Sequence, residues 1–180
     1  MKHFNMKKGL LFVATLLLTL NVDAQKVVDG SIPSLKGENK INLKIDFSET
    51  LIDNKSIEDW LEYRQATQPK DDAKKELESE LKPVAKQKLT DILNDKFQKN
   101  GVFFTNNNNA KYTLIVKPVN VSMKGNNTNE CSIIDDANKV LVKFQVVGSG
   151  GRLGSMRNLW GDGYDDTAKK IASFIKKCFK

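Results

Sequence analysis

The chain has 180 residues, of which 39% are hydrophobic and 28% charged, and its formal net charge at pH 7 is +7. This length and composition are typical of one globular domain and exclude collagen-like and multi-span membrane proteins. The one histidine, His3, lies in a segment that we expect to be removed, which excludes histidine-dependent triads and histidine-ligated zinc from the mature protein.

The first 24 residues have the parts of a secretory signal peptide. Three lysines precede the apolar run Leu10–Leu20, and Ala24 gives a small residue immediately before the expected cleavage site at Gln25. The apolar run is much shorter than the ~20 residues of a membrane-spanning helix. We therefore expect residues 1–24 to be removed and residues 25–180 to form a single periplasmic or secreted domain without a transmembrane segment.

The positive charge of the expected mature chain is concentrated at its end. Residues 1–24 carry three Lys and one Asp, so the net charge of residues 25–180 is +5, and residues 167–180 hold five Lys and no acid. The rest of the mature chain is neutral overall. A nucleic-acid-binding protein usually spreads Lys and Arg along a groove among aromatic side chains, so we expect no nucleic-acid partner.

In the first half of the mature chain, one strand is followed by helices. Ile41–Phe47 alternates apolar and polar residues, which predicts a strand with one buried face. Ser56 is a typical helix cap and predicts a short helix that ends near Arg64. Apolar residues recur at helical spacing over Asp71–Phe97, and Pro83 must either kink this helix or start a second one.

The second half predicts strands and then one helix. Tyr112–Lys117 alternates in the manner of a strand, and Cys131–Ile134 and Val140–Val146 flank a turn, which predicts a hairpin. We expect Gly148–Gly163 to be a loop, and a final helix to start at Asp166 or the residue before it. The element order predicts an α+β fold, with a single small mixed β-sheet of about four strands and helices packed mainly on one face.

Four segments carry a resemblance to a known family: Leu35–Glu38, Ile41–Phe47, Ala110–Lys117 and Gly163–Lys177. They resemble a family of short secreted envelope proteins from Gram-negative anaerobes, which implies an envelope location but no particular activity. The element order is also similar to that of small β-α-β-β-α envelope domains, such as the amino-terminal domain of the Tol-system propeller protein. That second similarity is an analogy of fold alone.

Two motifs suggest catalysis or nucleotide binding, but their context argues against both. Gly148–Gly154 follows a strand as a phosphate-binding loop does, yet no parallel strand follows the last helix. We therefore favour a flexible connecting loop. Ser173 and Lys176 match the Ser-x-x-Lys pattern of acyl enzymes, but they fall on the expected solvent face of the last helix. We expect no catalytic residue and no cofactor.

The glycine-rich loop contains candidate binding residues. Trp160, Tyr164 and Arg152 could form a ligand or partner surface, although for the two aromatic rings a clamp onto the sheet edge is favoured. Three carboxylates near this loop could hold Ca²⁺, namely Asp162, Asp165 and Asp166. Their spacing is not that of a calcium-binding loop, and helix capping explains them, so we expect no metal.

The last helix is amphipathic. Its apolar face is what a small sheet needs to cover its core, and its opposite face is basic, with candidate contacts to an anionic surface at Lys169, Lys170, Lys176 and Lys177. Cys131 and Cys178, in an oxidising compartment, could form a disulfide that ties this helix to the sheet. Burial of Cys178 as a small core residue is the alternative, and the sequence leaves both open.

These observations favour a secreted cell-envelope protein that acts as a non-catalytic interaction or accessory module. Its partner would be an envelope protein or an anionic envelope surface. The alternative is a carboxylate-based hydrolase that acts on envelope glycans, which rests on the compartment and on the acidic residues near the glycine-rich loop.

Overall fold

The computed structural model describes residues 25–106 and 109–180, so the expected signal peptide lies outside the described residues. In this part of the chain, seven strands form one mixed sheet. They are β1 (Gln25–Gly30), β2 (Lys40–Ile45), β3 (Leu51–Ile52), β4 (Phe103–Thr105), β5 (Tyr112–Val121), β6 (Asn127–Asp135) and β7 (Val140–Gly148). The mixture of helices and strands agrees with the α+β prediction, but the expectation of about four strands is wrong.

Helices occupy the regions before β4 and after β7. They are α1 (Ile57–Thr67), α2 (Ala73–Glu76), α3 (Lys82–Phe97) and α4 (Met156–Cys178). A π-helical turn, Leu77–Leu81, joins α2 to α3, and Pro83 lies in the first turn of α3. The backbone stays helical through this junction, because the N–H of Lys82 donates to the carbonyl oxygen of Leu77, and this wider turn ends where Pro83 has no N–H to donate. Of the helices in the described ranges, none combines the length and apolar content that a membrane crossing requires.

The strands lie in the order β1-β7-β6-β5-β2-β4, and β3 pairs with the last residues of β5. Strands β5, β6 and β7 form an antiparallel meander, and β1 adds to the outer edge of β7. The predicted hairpin is present as β6 and β7, with Asn138 in the left-handed conformation at its turn. Strand β2 lies between β4 and β5 and is parallel to both.

The core lies between one face of the sheet and the helices α3 and α4. Alternate residues of the central strands, such as Leu114, Ile133 and Val142, are fully or almost fully buried. The ring of Phe144 on β7 stacks on that of Phe174 on α4, with 3.8 Å between their centroids. Such a one-sided burial pattern in each strand is what makes the period-two pattern visible in the sequence.

Helix α4 begins much earlier than the sequence suggested. Ser155 is its N-cap, and the Ser155 hydroxyl accepts a hydrogen bond from the N–H of Asn158 at 3.3 Å. Residues 156–163 are therefore helical. The expected loop Gly148–Gly163 is in fact only residues 149–155, between β7 and α4. Asp165 and Asp166 lie inside the helix and do not cap it.

Candidate anion-binding surface

The aromatic binding candidates are in the core. Trp160 and Tyr164 lie in the second and third turns of α4, and both are 0% exposed. Their ring centroids are 6.3 Å apart, and the ring of Tyr164 also contacts Phe47 edge-on. Burial raises the pKa of the Tyr164 phenol. Neither side chain is accessible to a ligand, and neither ring clamps a loop onto the sheet edge.

The acidic residues near the loop lie within five consecutive residues of α4. Although burial raises the pKa of Asp166, hydrogen bonds from the Lys170 ammonium at 2.7 Å and the Ser149 N–H at 2.8 Å lower it overall. Asp165 forms an ion pair with Lys169. In residues 25–106 and 109–180, no group of three or more acidic, Cys or His side chains is arranged to share a metal ion.

The glycines of the Gly148–Gly154 segment have a packing role. A Cβ atom on Gly150 would lie 1.9 Å from the carbonyl oxygen of Lys124, in the turn between β5 and β6. The segment therefore packs with its backbone against that turn, and Arg152 is exposed at its outer side. Close backbone approach explains the glycine pattern without a phosphate ligand.

The two cysteines are not bridged. Cys131 on β6 and Cys178 at the end of α4 are both free and buried, so the disulfide that the sequence left open is not formed. Burial raises the pKa of the Cys131 thiol, and it raises that of Cys178 to about 11. Both thiols are thus shielded and protonated at neutral pH, which makes them poor nucleophiles.

We expect native protein, purified without reductant, to react slowly with iodoacetamide and denatured protein to gain two adducts. Cys178 should react before Cys131, because the last turn of a helix opens more readily than a central strand. Mass spectrometry of the alkylated protein measures both results. Denatured protein that takes up no label, but takes up two after reduction, would contradict the structure.

The lysines of α4 fall into two groups. Lys169 and Lys170 pair with Asp165 and Asp166 one turn earlier, so their charges are locally balanced. Lys170 also donates a hydrogen bond to the carbonyl oxygen of Val147 at 2.9 Å. Lys176, Lys177 and Lys180 lie beyond these acids, at the carboxyl end of the helix, and no carboxylate of the described residues lies within 4.0 Å of them.

Helix α3 ends beside the same end of α4. Val84, near the start of α3, lies close to Gly161, and Phe97, at its end, contacts the ring of Phe179 with 5.8 Å between centroids. The two helices therefore run in the same direction. Their carboxyl ends bring Lys96 and Lys99 next to the last lysines of α4.

Several chain segments complete this end of the molecule. The N–H of Leu35 donates to the carbonyl oxygen of Cys178 at 2.7 Å, which fixes the turn before β2 against the end of α4. The start of β5 and the end of β6 also lie at this end, since Tyr112 pairs with Asp135. We call this surface the basic end; its exposed lysines are Lys36, Lys40, Lys96, Lys99, Lys111, Lys139, Lys176, Lys177 and Lys180.

The basic end carries the whole net charge of residues 25–180. Its nine lysines face four acids, Glu38, Asp95, Asp135 and Asp136, which gives +5. Two ion pairs lie within it, Lys96 with Asp95 at 3.4 Å and Lys111 with Glu38 at 3.9 Å. Lysines at helix carboxyl ends also stabilise the helix dipole, but four of the nine are not at helix ends.

The carboxyl ends of α3 and α4 thus belong to the basic end, and the sequence indicated only some of its lysines. The sequence predicted contacts to an anionic surface at Lys176 and Lys177. It did not predict them at Lys36, Lys40, Lys96 and Lys99. These four are scattered along the sequence without a shared pattern. They converge only because β2 pairs beside β4 and the two helices are parallel.

Comparisons with known proteins assign this chain to no family. No family model and no curated protein matches the chain. Among solved structures, a PelC dodecamer from Paraburkholderia phytofirmans is similar with a TM-score of 0.41 and 14% identity, over 83% of this chain and 96% of that one. A methionine variant of that PelC dodecamer gives a TM-score of 0.40 at the same identity, over 83% of this chain and 95% of that one. Superpositions this loose carry no argument about this protein.

Proposed function

We propose that this protein is a secreted, non-catalytic interaction module of the cell envelope and that its basic end binds an anionic envelope surface. The observation that supports this is the segregation of charge. Nine exposed lysines lie together at one end with four acids, and the other charges of residues 25–180, 17 basic and 17 acidic, cancel. A location in the periplasm or outside the cell, after removal of residues 1–24, is part of the proposal.

The physical basis is the sum of many weak attractions. Each Lys or Arg near an anionic surface contributes on the order of 1 kcal/mol, within a Debye length of about 8 Å at physiological ionic strength. Several lysines at one end can reach a surface at the same time. Binding of this kind falls steeply as the salt concentration rises.

The alternative of a carboxylate-based hydrolase gains no support from the arrangement of its acids. Asp165 and Asp166 are held in ion pairs with Lys169 and Lys170 on the same helix. A glycosidase needs two carboxylates that converge on one bond from separate positions. Incubation with peptidoglycan fragments and a panel of oligosaccharides tests this alternative, because turnover would contradict the non-catalytic proposal.

The basic end is tested by removing three of its charges. In a variant with Lys176→Gln, Lys177→Gln and Lys180→Gln, we expect the affinity for dextran sulfate at low salt to fall at least about tenfold. The three side chains are exposed, so the thermal midpoint should change little. Titration calorimetry at low and high salt measures the affinity.

A matched control removes the same charge elsewhere. It replaces three exposed lysines around the start of α2, namely Lys70, Lys74 and Lys75, by Gln. We expect the affinity of this control to fall less than about threefold, because only its net charge has changed. Equal losses in the two variants would show that net charge, and not the basic end, determines binding.

A further inference from the structure

We infer that the anionic surface bound by the basic end is a lipid bilayer, an inference that rests on the proposed function. Apolar side chains are exposed among the lysines there. Phe103 is 50% exposed, Ile32 44% and Val140 43%. Single exposed apolar residues are ordinary on protein surfaces, but these three lie beside the lysines of the basic end.

Phe103 lies at one side of the basic end. It is the first residue of the edge strand β4, pairs in register with Lys40, and its N–H donates to the carbonyl oxygen of Asn39 at 2.9 Å. The next residue, Phe104, is 2% exposed and packs in the core. Because side chains alternate along a strand, Phe103 lies on the opposite face and is held there by the burial of Phe104.

Ile32 and Val140 lie at the other side. Val140 is the first residue of β7 and directly follows Lys139. Ile32 follows Ser31, whose N–H donates to the carbonyl oxygen of Leu141 at 3.3 Å. In the sheet order, β7 and β4 are separated by four strand spacings of roughly 4.8 Å, so the backbones of these two strands are about 19 Å apart.

This combination distinguishes a bilayer from a soluble polyanion. A polyanion such as an acidic polysaccharide interacts with the lysines and gains little from a phenylalanine beside them. A bilayer of anionic lipids binds both, because the ammonium groups contact the headgroups while apolar side chains enter the boundary of the acyl chains. The two apolar sites would each add to the attraction between the lysines and such a surface.

The first test compares ligands and variants. The mature protein is sedimented with vesicles of phosphatidylethanolamine and phosphatidylglycerol, with vesicles of phosphatidylcholine, and titrated with dextran sulfate. We expect Phe103→Ser and Ile32→Ser together to weaken binding to the anionic vesicles at least about fivefold, and to leave dextran sulfate binding unchanged. The control is Leu153→Ser, which removes an apolar side chain that is 89% exposed and lies away from the basic end.

The second test reports insertion directly. Trp60 and Trp160 are both 0% exposed, so a Phe103→Trp variant adds an indole at an accessible position. We expect brominated phosphatidylglycerol vesicles to quench the fluorescence of this variant and to leave that of the wild-type protein nearly unchanged.

The outcomes separate the inference from the proposed function. If dextran sulfate and anionic vesicles both bind, but the serine variant binds vesicles normally and Phe103→Trp is not quenched, the bilayer inference is wrong and the proposed function stands. If neither ligand binds wild-type protein at low salt, the proposed function fails and the inference fails with it. Unchanged thermal midpoints for the serine variants confirm that lost vesicle binding is not lost folding.

Discussion

Replacing Gly163 by alanine is expected to destabilise the protein by about 3 kcal/mol or more. A Cβ atom at this position would lie 1.9 Å from the carbonyl oxygen of Gly125 and 2.9 Å from the side-chain nitrogen of Asn127. The closer atom belongs to the backbone of the turn between β5 and β6, so it cannot rotate away. That turn and α4 would have to move apart, which would also strain the hydrogen bond from the Thr167 hydroxyl to Asn127, 2.7 Å long.

Gly161→Ala, in the same helix, is the matched control. A Cβ atom there would lie 3.4 Å from a methyl group of Val84 and 3.7 Å from Lys88 Cε, which are ordinary contacts. Alanine is favoured over glycine inside a helix by about 0.8–1 kcal/mol, so we expect equal or higher stability. Urea denaturation compares the variants. A free energy of unfolding for Gly163→Ala within about 1 kcal/mol of the wild-type value would contradict this prediction. It would show that the turn between β5 and β6 can move away from α4 at little cost.

Ile175→Asp is expected to prevent stable folding. Ile175 is 0% exposed on the face of α4 that covers the sheet. An unpaired carboxylate at a buried position costs several kcal/mol in addition to the apolar burial that is lost. Since whole domains are stable by only about 5–15 kcal/mol, this single change removes much of the total. Circular dichroism with thermal melting measures the effect.

Ser173→Asp is the control for this change. Ser173 is exposed two residues earlier in α4, and its hydroxyl donates to the carbonyl oxygen of Lys169 at 3.2 Å. A carboxylate there is near lysines and in water, so the melting temperature should stay close to that of wild type. A folded Ile175→Asp protein that had lost vesicle binding would show that the apolar face of α4, and not the core, is its functional surface.

The parts of the fold that could be predicted are those with regular burial. Strands β2 and β5 and the β6–β7 hairpin are long enough to show an alternation of apolar and polar residues, although the alternation is interrupted in places. Strands β3 and β4, with two and three residues, are too short to show a period. Strand β1 is an edge strand with a bulge between Val27 and Asp29, so its apolar residues are adjacent and its pattern is broken.

The start of α4 was missed for a different reason. Gly161 and Gly163 are poor helix formers, and with the preceding Gly148–Gly154 they indicated a loop. Gly163 is needed because the β5–β6 turn approaches the helix closely, and the same approach joins Thr167 to Asn127, 40 positions away in the sequence. Tertiary contact therefore outweighs local propensity here, and it also buries the two aromatic rings of this segment, which a loop would have exposed.

The position of β2 between β4 and β5 has a consequence for the order of folding. Asn42 on β2 lies beside Thr113 on β5, 71 residues later, so this pairing must wait until a long loop has closed. The antiparallel meander β5 to β7 joins sequence neighbours and can form early. Strand β2 can then add to the free edge of β5 and offer its own outer edge to β4. A topology with such distant pairings belongs to the slow-folding class, in which rates fall as the mean separation of contacts grows.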